Sequence, residues 1–75
     1  MIAADEIKTL IEKGLPGAEV EVVDEAGDGE HFSAKVVAPQ FAGMSRVQQH
    51  QAVYAALGDA MRSRIHALAL KTGTP

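Results

Sequence analysis

"FAGMSRVQQHQAVYAALGDAMRSR" (residues 41–64) is the longest periodic segment of this chain, and its reading decides the fold. Ser45 followed three residues later by Gln48 fits a capping box, in which the two side chains take up free backbone N–H groups at a helix start. The helix therefore begins near Arg46. Val47, His50, Val53 or Tyr54, Leu57 and Met61 recur at helical spacing and form one stripe. That stripe puts His50 on the face expected to be buried, as an imidazole giving one N–H to a backbone or side-chain acceptor. Phe41 belongs to a short turn ahead of the helix. A helix of about 17 residues is long enough to carry the chain between two parallel strands.

Strands flank this helix. "HFSAKVVA" (31–38) alternates, with Phe32, Ala34 and Val36 on one face and His31, Ser33 and Lys35 on the other, and Pro39 closes it. "IHALAL" (65–70) is too short and too abruptly bounded for another helix and reads as a strand. Upstream, "AEVEVVDEA" (18–26) alternates Ala18, Val20 and Val22 with Glu19 and Glu21, the pattern of a strand with one buried face. Asp28-Gly29 signals the hairpin turn that follows. At the start of the chain Ile7, Leu10, Ile11 and Leu15 make a helical stripe. Asp5 and Glu6 suit the positive end of its dipole, and Gly14 with Pro16 ends it. The order is α-β-β-α-β, a single α+β domain over residues 1–75.

Composition narrows the chemistry. Seventy-five residues enclose a thin core, and the absence of cysteine removes disulfides, thiolate metal sites and cysteine nucleophiles. A net charge of −3 argues against a high-affinity nucleic-acid binder, whose affinity comes largely from cations on phosphates. Arg46, Arg62, Arg64 and Lys71 are the cations that could gather on one side, although such a set also serves as ordinary solvated surface. Neither a signal peptide nor a membrane span is visible near the N-terminus, so a cytoplasmic protein is expected. Ser33 and Ser45 have no visible base or oxyanion partners. The acids Glu19, Glu21, Asp24, Glu25 and Asp28 are scattered over expected solvated faces, so nothing suggests an enzyme.

Two histidines stand out from this background. If the second and third strands are parallel neighbours, both begin at one end of the sheet, about 4.8 Å apart. His31 opens the second strand and His66 the third, so their imidazoles would approach each other at one rim. No other part of the sequence offers a cluster of potential ligands. Both readings of each residue stay open at this point. His66 either satisfies backbone groups at a helix-to-strand junction or serves as a ligand; His31 is either a solvated loop residue or a second donor.

The stretch "HFSAKVVAPQFAGMSRVQQHQAVYAALGDAMRSRIHALALKTGTP" (31–75) resembles the BolA family, especially its bacterial IbaG-like branch. The resemblance covers nearly the whole chain. Its specific parts are HF before an alternating strand, F-x-G-x-S-R-V before a helix, V-Y-x-x-L within it and I-H-A-L-x-L-K-T-x-T-P at the end. It implies a class II KH-like fold with a three-stranded mixed sheet and a small extra helical turn. It also implies a non-enzymatic accessory role in iron–sulfur metabolism, in cluster trafficking or in iron, redox and stress regulation. Members pair with monothiol glutaredoxins and share a [2Fe–2S] cluster, the partner supplying a cysteine and bound glutathione. The family's contribution is the histidine of the I-H-A-L motif, here His66. Its second ligand is a Cys or His in the loop before the second strand, where this chain offers only His31. With no cysteine of its own the isolated chain is expected to hold no cluster, and it is expected to be a monomer or weak homodimer when alone, without membrane association. Imidazole is an accepted iron–sulfur ligand, as in Rieske centres, and one that protonates near neutral pH is labile. The alternative is a KH-like nucleic-acid-binding transcriptional regulator. The acidic charge disfavours it, and Gln49-His50-Gln51 stands where many members carry R-H-R.

Overall fold

Side chains alternating at period two make the sheet one-sided. In the computed structural model, which describes residues 2–75, the strands are β1 (Glu19–Asp24), β2 (His31–Val37) and β3 (Ala67–Gly73), in that spatial order. β1 runs antiparallel to β2, with Val20 opposite Val36 and Val22 opposite Ala34. β2 runs parallel to β3, with His31 opposite Ala67 and Val37 opposite Gly73. Val20, Phe32, Ala34 and Val36 are buried, on the face packed by helices α1 (Ala4–Gly14) and α2 (Arg46–Leu57). Glu21, Val23, Lys35, Ala69 and Lys71 occupy the other face and are exposed.

Between sheet and helices lies a core of Ile7, Ile11, Val36, Phe41 and Val53, all sealed from solvent. Phe41 enters it from a 3₁₀ turn (Pro39–Phe41) that bridges β2 and α2, as its place before the helix led one to expect. The capping box forms as expected. The Gln48 N–H donates to Ser45 Oγ (3.2 Å) while the Ser45 N–H donates to Gln48 Oε1 (2.9 Å). α1 and α2 approach closely at Gly14, where a Cβ would stand 2.5 Å from that of Ala56 and 2.9 Å from its Cα. Glycine is needed there for space.

The expected crossover and the expected last strand are both corrected. The crossover is not one helix of about 17 residues but α2 followed by α3 (Asp59–Ser63), broken at Gly58. Gly58 adopts φ 56°, ψ −135°, a conformation open to a residue without Cβ, and the new direction buries Ala60. The strand expected over 65–70 instead runs Ala67–Gly73, so buried Ile65 and exposed His66 precede it.

The buried face of α2 also differs from the stripe. Val53 and Leu57 are buried as expected, but Val47 is 65 % exposed and Tyr54 39 %. Gln49 turns inward instead. Its Nε2 donates to the carbonyls of Met44 (3.2 Å) and Phe41 (3.4 Å), and its Oε1 accepts from Thr72 Oγ1 (2.7 Å). This clamp ties the helix start to the turn before it and to β3. The small residues Ala52 and Ala56 complete the inward face, which lets α1 come close. His50 is only half-buried, and among the described residues its ring makes no hydrogen bond. His50→Ala is therefore expected to cost less than about 1 kcal/mol, as for most surface substitutions. A thermal melt within a few degrees of the parent checks this; a large drop would restore the buried reading.

Candidate functional site

Parallel pairing of β2 with β3 starts both strands at one rim, and there the two histidines meet. The His31 and His66 ring centroids are 5.4 Å apart and the rings stand nearly perpendicular, at 80°. Both side chains are exposed. His31 is the first residue of β2, and His66 lies in the bend immediately before β3. The bend is held on one side by buried Ile65, whose N–H donates to the Ala60 carbonyl (3.0 Å). On the other side the Ala67 N–H donates to the Glu30 carbonyl (3.0 Å). The junction's backbone bonds are thus made without the His66 ring, which leaves the imidazole free for other work.

The loop before β2 arranges His31 more closely than a two-residue turn would. It spans residues 25–30, with Gly27 and Gly29 at φ 68° and 72°. Asp24 Oδ2 accepts the Gly29 N–H at 2.8 Å. Asp28 Oδ1 accepts the N–H groups of Glu30 (2.9 Å) and His31 (3.3 Å), and its Oδ2 lies 3.1 Å from His31 Nδ1. The Glu30 backbone bond, and after it the His31 side chain, hold the Asp28 carboxyl below its ordinary pKa. A depressed carboxyl favours the folded loop while ionised and loses that contribution as pH falls through its folded value. Asp28 is thus not the scattered solvated acid that the sequence alone suggests. Its position three residues before a histidine, in an Asp-Gly turn, was the available signal.

The cations do not gather on one side; they divide between the two ends of the sheet. Arg62 and Arg64 line a cleft of about 420 Å³ with Glu30 and His66, and Arg64 Nη1 pairs with Glu6 Oε2 at 2.6 Å. A larger cleft of about 730 Å³ lies at the far end, lined by Lys35, Arg46, His50 and Lys71 among others. Ser33 donates to Glu25 Oε1, and Ser45 serves as the cap of α2. Among the described residues no helix is long and apolar enough to cross a membrane.

Residues 11–75 match the family described as BolA-like protein. This chain belongs to the BolA family. The acid stress protein IbaG of Escherichia coli K12 is 40 % identical to it over 72 residues, covering 95 % of this chain and 82 % of that one. A BolA protein homologue from Coxiella burnetii superposes with a TM-score of 0.86 at 46 % identity, over 100 % of this chain and 94 % of its own. The BolA domain of SufE1 from Arabidopsis thaliana gives 0.84 at 33 % identity, with 100 % and 96 % covered. The α+β architecture, its three-stranded mixed sheet and the BolA resemblance seen in the sequence all hold. Within this BolA fold, the rim of His31 and His66 is where side chains capable of ligation from distant parts of the chain converge.

Proposed function

We propose that this BolA-family chain is a non-enzymatic accessory protein that completes a [2Fe–2S] site shared with a monothiol glutaredoxin. His66 is the first ligand and His31 the second. The observation that carries this reading is the edge-on pair of exposed imidazoles, 5.4 Å apart, built by two strand starts far apart in sequence. The donor set suits the group. Neutral nitrogens ligate iron in Rieske-type centres, and a chain without cysteine leaves the thiolate positions to the partner. Arg62 beside His66 offers positive charge to the carboxylates of a partner-bound glutathione, while Arg64 in the same cleft is engaged by Glu6. When bound, the cluster supplies a labile iron–sulfur unit for transfer or sensing. The chain's own part is to present two neutral imidazoles at an accessible rim.

Anaerobic reconstitution tests this. The chain alone is expected to take up no cluster, whereas a mixture with a glutathione-loaded monothiol glutaredoxin develops visible absorption and circular dichroism distinct from the glutaredoxin alone. A stable coloured cluster on the isolated chain, or unchanged glutaredoxin spectra on mixing, would sink the shared-site reading.

A second reading, a nucleic-acid-binding regulator, is favoured by the far cleft, where Lys35, Arg46, His50 and Lys71 come together and no carboxylate side chain contributes to the lining. Its signature is DNA affinity that falls with salt at a log–log slope of about −0.9 per neutralised phosphate. Three cations and a net charge of −3 make such binding weak at physiological ionic strength.

A further inference from the structure

The loop before β2 builds a carboxylate onto the back of a candidate ligand. Asp28 is anchored by two backbone N–H groups on Oδ1, which leaves Oδ2 facing His31 Nδ1 at 3.1 Å. An ionised carboxylate only accepts hydrogen bonds, so a neutral His31 ring facing it must carry its proton on Nδ1. The Nε2 lone pair is then free. Carboxylates in this relation to metal-bound histidines fix the tautomer, hold the ring and raise the basicity of the donor nitrogen.

We propose that Asp28 is a positioning residue for His31: it selects the Nδ1–H tautomer and so makes Nε2 the ligating atom. This inference rests on the shared-site reading for its purpose but not for its geometry. It also separates two roles that one loop residue combines. Through Oδ1 Asp28 shapes the turn, and through Oδ2 it sets the proton on His31.

Asp28→Asn separates them. The asparagine carbonyl can still accept the Glu30 and His31 N–H groups, so the turn is kept. Its amide NH₂ then faces Nδ1 as a donor, which obliges Nδ1 to accept and moves the ring proton to Nε2. That places a proton on the atom needed for iron. A purely structural Asp28 predicts instead that Asp28→Asn is benign and only a loss of the turn, as in Asp28→Ala, is damaging.

The test has two arms on the full chain. First, ¹⁵N NMR of the free protein, at a pH where the imidazoles are neutral, reads the His31 tautomer. The expected result is Nδ1–H in the parent and Nε2–H in Asp28→Asn. Second, each chain is reconstituted with a glutathione-loaded glutaredoxin and cluster loss is followed by visible circular dichroism. Asp28→Asn is expected to shorten the lifetime by about 10–100-fold while the thermal melt falls only slightly, by the loss of the loop's carboxylate charge. The proposal is overturned by Nε2–H in the parent, by an unchanged tautomer in Asp28→Asn, or by parental cluster lifetime in that variant. If the parent pair builds no cluster, the shared-site reading falls instead, and the tautomer in the free chain still decides whether Asp28 sets the proton.

Discussion

His66→Ala is expected to fold like the parent and fail with the partner. The ring is exposed, it lies outside the sheet ladder, and the neighbouring backbone groups are satisfied by Ala60 and Glu30. Removing it should leave the far-UV spectrum and melting temperature nearly unchanged, within the about ±0.5 kcal/mol typical of surface positions. The mixed complex with glutaredoxin should lose its cluster at least about tenfold faster, since even indirect supports of a metal site are worth about that much. His31→Ala should act in the same direction and more weakly. The decisive comparison is melt against cluster lifetime for both variants. A complex of His66→Ala that keeps the parental spectrum would exclude His66 as a ligand, and a variant that unfolds would make it a structural residue.

Phe41→Ala is expected to have the opposite profile. Phe41 is among the largest fully buried side chains and is delivered to the core by the 3₁₀ turn rather than by a long element. Deleting such a ring costs about 3–5 kcal/mol through lost burial and the cavity left behind. A chain of this length has only about 4–11 kcal/mol of total stability. The variant should therefore be marginal or unfolded at 37 °C, seen as a collapse of the urea midpoint. Val47→Ala, on the exposed side of α2, should change the unfolding free energy by less than about 0.5 kcal/mol and so leave that midpoint nearly in place. Similar losses at both positions would contradict the packing described.

These contrasts mark where the sequence was legible. Period-two alternation identified β1 and β2 because each buries one face, and Ser45 with Gln48 announced the start of α2 because capping is local chemistry. The inward face of α2 was misread because apolar spacing alone cannot see Gln49 bonding to the Phe41 and Met44 carbonyls, a polar residue held inside by partners from other elements. Gly58 lies inside the segment read as one helix, and only its backbone angles reveal the break. At the rim, the meeting of His31 and His66 followed from strand order and the parallel crossover. Asp28 did not follow, since its role depends on a turn conformation that places one carboxylate oxygen beside an imidazole.

The parallel pairing of β2 and β3 also bears on when the chain becomes competent. His31 leaves the ribosome well before His66, and the two rings share a rim only once the intervening helices have packed and the last strand has docked. A nascent or locally unzipped chain holds two isolated imidazoles with no chelate between them. Any ligand that needs both therefore selects finished molecules and, once bound at a hundred times its dissociation constant, adds about 2.7 kcal/mol to their stability. On the proposed shared-site reading, docking of a single edge strand would thus stand as a checkpoint between synthesis and cargo.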